Sequence, residues 1–126
     1  MTDMLARLII IIAVIAFFAR AAYGADATEN CGGNGNTQTM VECAQARTAE
    51  WDKRMNVAYQ QALKDASSGR QRDQLRAAQR LWVQYRDANC LYYGLGEGTI
   101  ARVDAAGCML SLTETRAREL EHGSHQ

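Results

Sequence analysis

The stretch Leu75 to Cys90, L-R-A-A-Q-R-L-W-V-Q-Y-R-D-A-N-C, carries most of what this chain says about its fold. Leu75, Ala78, Trp82, Tyr85, Asn89 and Tyr92 step by three and four, the spacing that lines one side of an α-helix. Trp82 and Tyr85 therefore share a face, and Cys90 falls near its end. The periodicity makes this stretch the central core helix, ending in a crosslink.

On its N-terminal side, Ser68-x-x-Gln71 is a capping box that opens this helix, predicted over about 70–93. Gly94-Leu95-Gly96-Glu97-Gly98 closes it, because each glycine costs a helix about 1 kcal/mol. Upstream, Thr39-x-x-Glu42 is a second capping box. Ala44, Trp51, Met55, Ala58, Tyr59, Ala62 and Ala66 follow near helical period, which predicts a helix over about 39–66. The chain has no proline, so nothing breaks that helix before Ser67-Ser68-Gly69. Val103, Leu110, Leu112, Ala117 and Leu120 mark a third helix over about 100–122, ended at His122-Gly123. Gly107 leaves its start open between Thr99 and Cys108. Asn30 to Asn36 is a loop by composition. No repeats and no strand-like alternation occur. The predicted fold is all-α: a small three-helix bundle, a long antiparallel hairpin plus a third helix.

Residues 1–24 are predicted to lie outside this fold. Arg7 sits in a short leading region, Leu8 to Phe18 carries no charge, and Ala22-Tyr23-Gly24 offers a cleavage site. That is the pattern of a secretory signal peptide, and the apolar run is well short of the roughly 20 residues of a membrane span. The predicted mature chain, residues 25–126, makes one small domain with no stable membrane anchor, periplasmic or secreted. The full chain has 14 basic and 14 acidic residues, interspersed as on solvated helix faces. Such a balance gives no reason to propose nucleic acid or an anionic surface as partner.

Cys31, Cys43, Cys90 and Cys108 all lie in the exported part, and an even count in a small secreted chain reads as a disulfide framework. No C-x-x-C pair points to zinc, so no metal and no cofactor are expected. With the hairpin turned near Ser68, Cys43, Cys90, Cys108 and the glycine loop share one end, which permits any pairing. The sequential one, Cys31–Cys43 and Cys90–Cys108, is favoured because it ties the N-terminal loop to the first helix and closes the second loop.

Cys31, Thr39 to Cys43, Asp52 with Asn56 and Tyr59, the Leu75–Cys90 block, Cys108 with Leu110, and Thr113-x-x-Arg116-x-x-x-Leu120 together resemble the LprI-type lysozyme-inhibitor family of small exported bacterial proteins. The resemblance covers essentially the whole mature chain. Met55 departs from it, standing where leucine is usual. The resemblance implies inhibition of a lysozyme and supplies no inhibitory motif to carry over.

Enzyme chemistry has little to stand on. His122 and His125 lie in the polar tail, where no core would hold a base. Asp52 and Asp87 can approach across the hairpin, but with Arg80 and Arg86 nearby they read as ion-pair partners. Arg86 can stack on Trp82 or pair with Asp52. Trp51, Tyr59, Trp82 and Tyr85 read as core, and Asn56 and Gln79 as structural polar positions. No catalytic residue is expected.

The candidate contact is the loop Tyr93, Gly94, Leu95, Gly96, Glu97 and Gly98, fixed at its ends by Cys90–Cys108. A closed loop loses little entropy on binding, which suits insertion into a cleft, and Glu97 suits a basic enzyme. Two functions follow: a stoichiometric lysozyme inhibitor, or an envelope or stress protein binding another protein partner. The near-neutral charge leans toward the second, since steering to a basic enzyme calls for a more acidic surface.

Overall fold

The computed structural model describes Cys31 and residues 35–123; the expected signal peptide, most of the Asn30–Asn36 loop and His125 lie outside them. Three helices make up this part: α1 (Thr37–Asp65), α2 (Gly69–Gly94) and α3 (Ile100–Gly123). The fold is all-α, with no strand among the described residues.

Local chemistry accounts for each boundary. Asn36, not Thr39, caps α1: its side chain accepts from Thr39 N–H at 3.0 Å, and the Thr39 hydroxyl donates to Asn36 O at 2.8 Å. Asparagine takes the cap because it serves as well as threonine there, and it stands one turn earlier. Ser68 caps α2, accepting from Gln71 N–H at 3.2 Å. The return arm of that box goes one residue back, where Ser67 N–H donates to Gln71 Oε1 at 2.7 Å. Arg72 Nη1 donates to Ala66 O at 3.2 Å, satisfying a carbonyl orphaned at the end of α1. α3 begins at Ile100 and runs straight through Gly107, whose one unfavourable residue is outweighed by burial of its neighbours.

α3, rather than α2, is the central helix. It packs along α1 and, less extensively, on α2, while the α1 and α2 backbones barely touch. Ala101, Ala106, Thr113 and Ala117 are the reason: small buried residues on α3 let neighbouring helices come close. Val41 and Thr48 share a groove with Ala106 and Met109, while Arg54 meets Glu121, so α1 and α3 run in the same direction. The core joins Met55 and Ala58 of α1 to Ala117 and Leu120 of α3, flanked by Trp51, Tyr59, Ala62, Leu75 and Trp82. Full burial of a side chain the size of Met55 or Leu120 contributes about 1.5–3 kcal/mol.

The inward face of α2 is turned from the predicted one. Leu75, Gln79, Trp82, Arg86, Asn89 and Cys90 are buried or half-buried, whereas Ala78, Tyr85 and Tyr92 are exposed. Tyr85 is 56% exposed and so is not core. With only α3 packed closely on it, α2 hides a narrow stripe, and the polar Gln79 and Arg86 lie within that stripe because partners there satisfy them.

Candidate functional site

Both disulfides form in the sequential pairing, Cys31–Cys43 and Cys90–Cys108, each with Cα atoms 5.5 Å apart. Cys90 is buried at the end of α2, and Asn89 Nδ2 donates to Cys108 Sγ at 3.4 Å. The second bridge therefore staples the end of α2 to α3 and closes the loop between them.

That loop is built on glycine. Leu95 N–H closes α2 by donating to Leu91 O at 3.0 Å, and Gly96 N–H donates to Tyr93 O at 3.2 Å. A Cβ on Gly96 would stand 3.2 Å from Tyr93 O and 3.5 Å from the Ala101 Cβ, so the loop lies tight against the start of α3. Gly98 has φ +76°, a conformation that side-chain-bearing residues rarely adopt. Every residue from Leu91 to Ile100 is exposed, Leu95 at 76%. The rings of Tyr92 and Tyr93 meet edge to face at 5.3 Å. Glu97 projects from this rim and makes no hydrogen bond or ion pair with the described residues. Beside the loop, an open groove of about 750 Å³ runs between the three helices, lined by Val41, Thr48, Asp87, Leu91, Arg102 and Met109.

The other residues singled out in the sequence are spread over the bundle, and most are engaged with neighbours. Asp52 accepts from Asn56 Nδ2 at 3.1 Å on the same helix and does not pair with Arg86. Arg86 instead stacks over Trp82 at 5.1 Å and pairs with Asp87 at 2.8 Å, because both partners lie on its own helix within reach. Asp87 is thereby occupied locally. Tyr59 packs on the core edge, and Arg80 is exposed beside it in a shallow depression. Gln79 is the exception in reach: Nε2 meets Met55 Sδ at 3.6 Å and Oε1 accepts from Arg116 at 3.0 Å, so one amide touches all three helices.

Three structural features are not given by helical spacing, although Thr113 and Arg116 belong to the pattern that carries the family resemblance. Arg116 is buried, paired with Glu119 at 2.8 Å, and only its direction toward α2 explains it. Thr113 is fully buried, with a hydroxyl that has no hydrogen-bond partner among the described residues. Two guanidinium groups lie over the Trp51 ring, Arg54 at 4.2 Å and Arg118 at 4.6 Å, and Arg54 also pairs with Glu121 at 2.9 Å. Spacing along one helix cannot signal that pair of contacts, since Arg118 comes from another.

The family model described as Lysozyme inhibitor LprI matches residues 27–120. No curated protein and no solved structure matches the chain. The match spans both disulfides, nearly all of the three helices and the glycine loop, so the chain belongs to the LprI lysozyme inhibitor family.

Proposed function

We propose that the mature chain is exported to the periplasm or beyond and blocks a lysozyme stoichiometrically, lodging the Tyr93–Gly98 loop in the substrate cleft. The family membership over residues 27–120 carries this reading. The loop is preferred as the contact because it is exposed, apolar at Leu95, acidic at Glu97 and anchored by Cys90–Cys108. Anchoring removes part of the ordering cost that a free loop meets on binding. The protein works by occupancy and turns nothing over. Purified mature protein added to a lysozyme acting on cell walls should lower the lysis rate in proportion to its molar ratio. A rate unchanged at severalfold molar excess, across several lysozyme classes, removes the reading.

A further inference from the structure

The net neutrality of the chain hides an uneven distribution of charge along α2. Its N-terminal half carries Arg70, Arg72, Arg76 and Arg80 against one acid, Asp73. No acidic residue stands in the first turn, so these charges oppose the helix dipole. Arg72, Arg76 and Arg80 are also spaced by four, where like charges repel. The bundle offsets little of this. Arg72 reaches Ala66 O, and Arg76 meets Asp73 at 2.9 Å, but that pair is exposed on both sides and contributes little. Arg70 and Arg80 make no hydrogen bond or ion pair with the described residues. A costly run of charge that the fold does not use points to a ligand outside it.

Arg76 and Arg80 border a depression of about 450 Å³ between α1 and α2, lined also by Tyr59, Gln79, Val83 and Gln84. No carboxylate lines it, and the Tyr59 hydroxyl and Gln84 amide add donors beside the two guanidiniums. We infer that this face binds the carboxylates of a cell-wall glycopeptide. The choice of polymer rests on the inhibitor reading above, since this is what a lysozyme cleaves. A guanidinium matches a carboxylate with two parallel hydrogen bonds. From Arg70 to Arg80 the helix rises about 15 Å, a length that suits repeated anionic groups on a polymer better than one small ion. Val83 is the one aliphatic side chain in the depression, which gives a bilayer little to hold. The arginines lie in the first half of α2 and the glycine loop past its end, so one molecule can hold the wall and present the loop together. Tethering of this kind raises the effective concentration of an inhibitor where the enzyme works.

Co-sedimentation of the mature protein with purified peptidoglycan sacculi, in the absence of enzyme, tests this. The protein should pellet at low ionic strength and be released as salt rises. Converting the sacculus carboxylates to amides with a carbodiimide and ammonia should abolish pelleting. Arg76→Gln with Arg80→Gln should weaken binding about tenfold or more. Melting should stay unchanged or rise, because both side chains are exposed in the first half of a helix. Lys53→Gln with Arg102→Gln removes the same charge at exposed positions elsewhere and should bind as the unaltered protein does. No pelleting at low ionic strength overturns the inference, as does binding that survives amidation or falls equally in the two double variants. Equal retention on phosphatidylglycerol vesicles assigns the face to a membrane and also overturns it. Sacculus binding is read without enzyme, and inhibition can be read on a soluble oligosaccharide, so failure here is separate from failure of the inhibitor reading.

Discussion

Arg116 Nε of α3 donates to Gln79 Oε1 of α2 at 3.0 Å, across 37 residues of sequence. Arg116 is 8% exposed, and besides Gln79 it has only Glu119 of its own helix to meet its charge among the described residues. The amide of Gln79 thus joins the least packed helix to the central one. Gln79→Ala should cost about 1–3 kcal/mol, because it leaves a buried guanidinium short of an acceptor. Arg116→Met, which removes charge and partner need together, should cost less than Arg116→Ala. Urea unfolding with disulfides intact gives the numbers. A double-mutant cycle of Gln79→Ala with Arg116→Met should show coupling of at least about 0.5 kcal/mol, and strict additivity would show that the bond contributes nothing.

Thr113 presents the opposite situation. Its buried hydroxyl has no partner among the described residues, so the fold carries a desolvation cost without a hydrogen bond in return. Thr113→Val keeps the β-branched shape and removes the hydroxyl. It should raise stability by about 1 kcal/mol, read as a higher denaturant midpoint at unchanged slope. A drop of the same size would mean that the hydroxyl is satisfied in solution.

The two disulfides close stretches of 12 and 18 residues, each worth about 3 kcal/mol in the chain-entropy account. Their loss should nevertheless differ. Cys90–Cys108 joins α2 to α3, where packing is sparser than between α1 and α3, so Cys90→Ser with Cys108→Ser should lower Tm further than Cys31→Ser with Cys43→Ser. Equal shifts in calorimetry would refute this ordering.

Two glycines should respond to alanine with opposite signs. Gly98 has φ +76°, where a Cβ strains the backbone, so Gly98→Ala should cost about 1 kcal/mol. Gly107 lies within α3, and an added Cβ there would meet nothing within 4 Å, so Gly107→Ala should gain up to about 1 kcal/mol from helix propensity. Thermal melts of the two variants settle the signs.

Glu97 has no internal role in stability, so Glu97→Lys should leave the melting temperature unchanged. If the loop meets a basic enzyme, the same change should weaken inhibition about tenfold, with the loss largest at low ionic strength. Inhibition that is insensitive to both Glu97→Lys and Tyr93→Ala moves the contact away from the loop.

Much of the architecture was legible from local rules. Ser68 with Gln71, the glycine cluster after Tyr93 and the absence of proline place the elements because capping and backbone cost act within a few residues. Other positions were not legible for an equally physical reason. Leu75 and Trp82 fit both the predicted stripe and the real one, so periodicity alone left the α2 face uncertain by one position. Tyr85 and Tyr92 then fell outside the core, while Gln79 and Arg86 moved in. Which of two adjacent stripes is buried depends on where a neighbouring helix lies.

Three helices, the cap of α2, a disulfide-closed glycine loop and the family all follow from the order of residues, since each rests on neighbours in the chain or on a run of residue types. Packing in three dimensions was needed to make α3 the axis of the bundle, to bring Arg116 and Gln79 together, and to bring guanidiniums from two helices over Trp51. Packing also left the tyrosine-bearing face of α2 open. The cause lies in α3, which is lined with alanine and threonine: a plain pattern in one dimension, yet small residues are what allow two other helices to close on it.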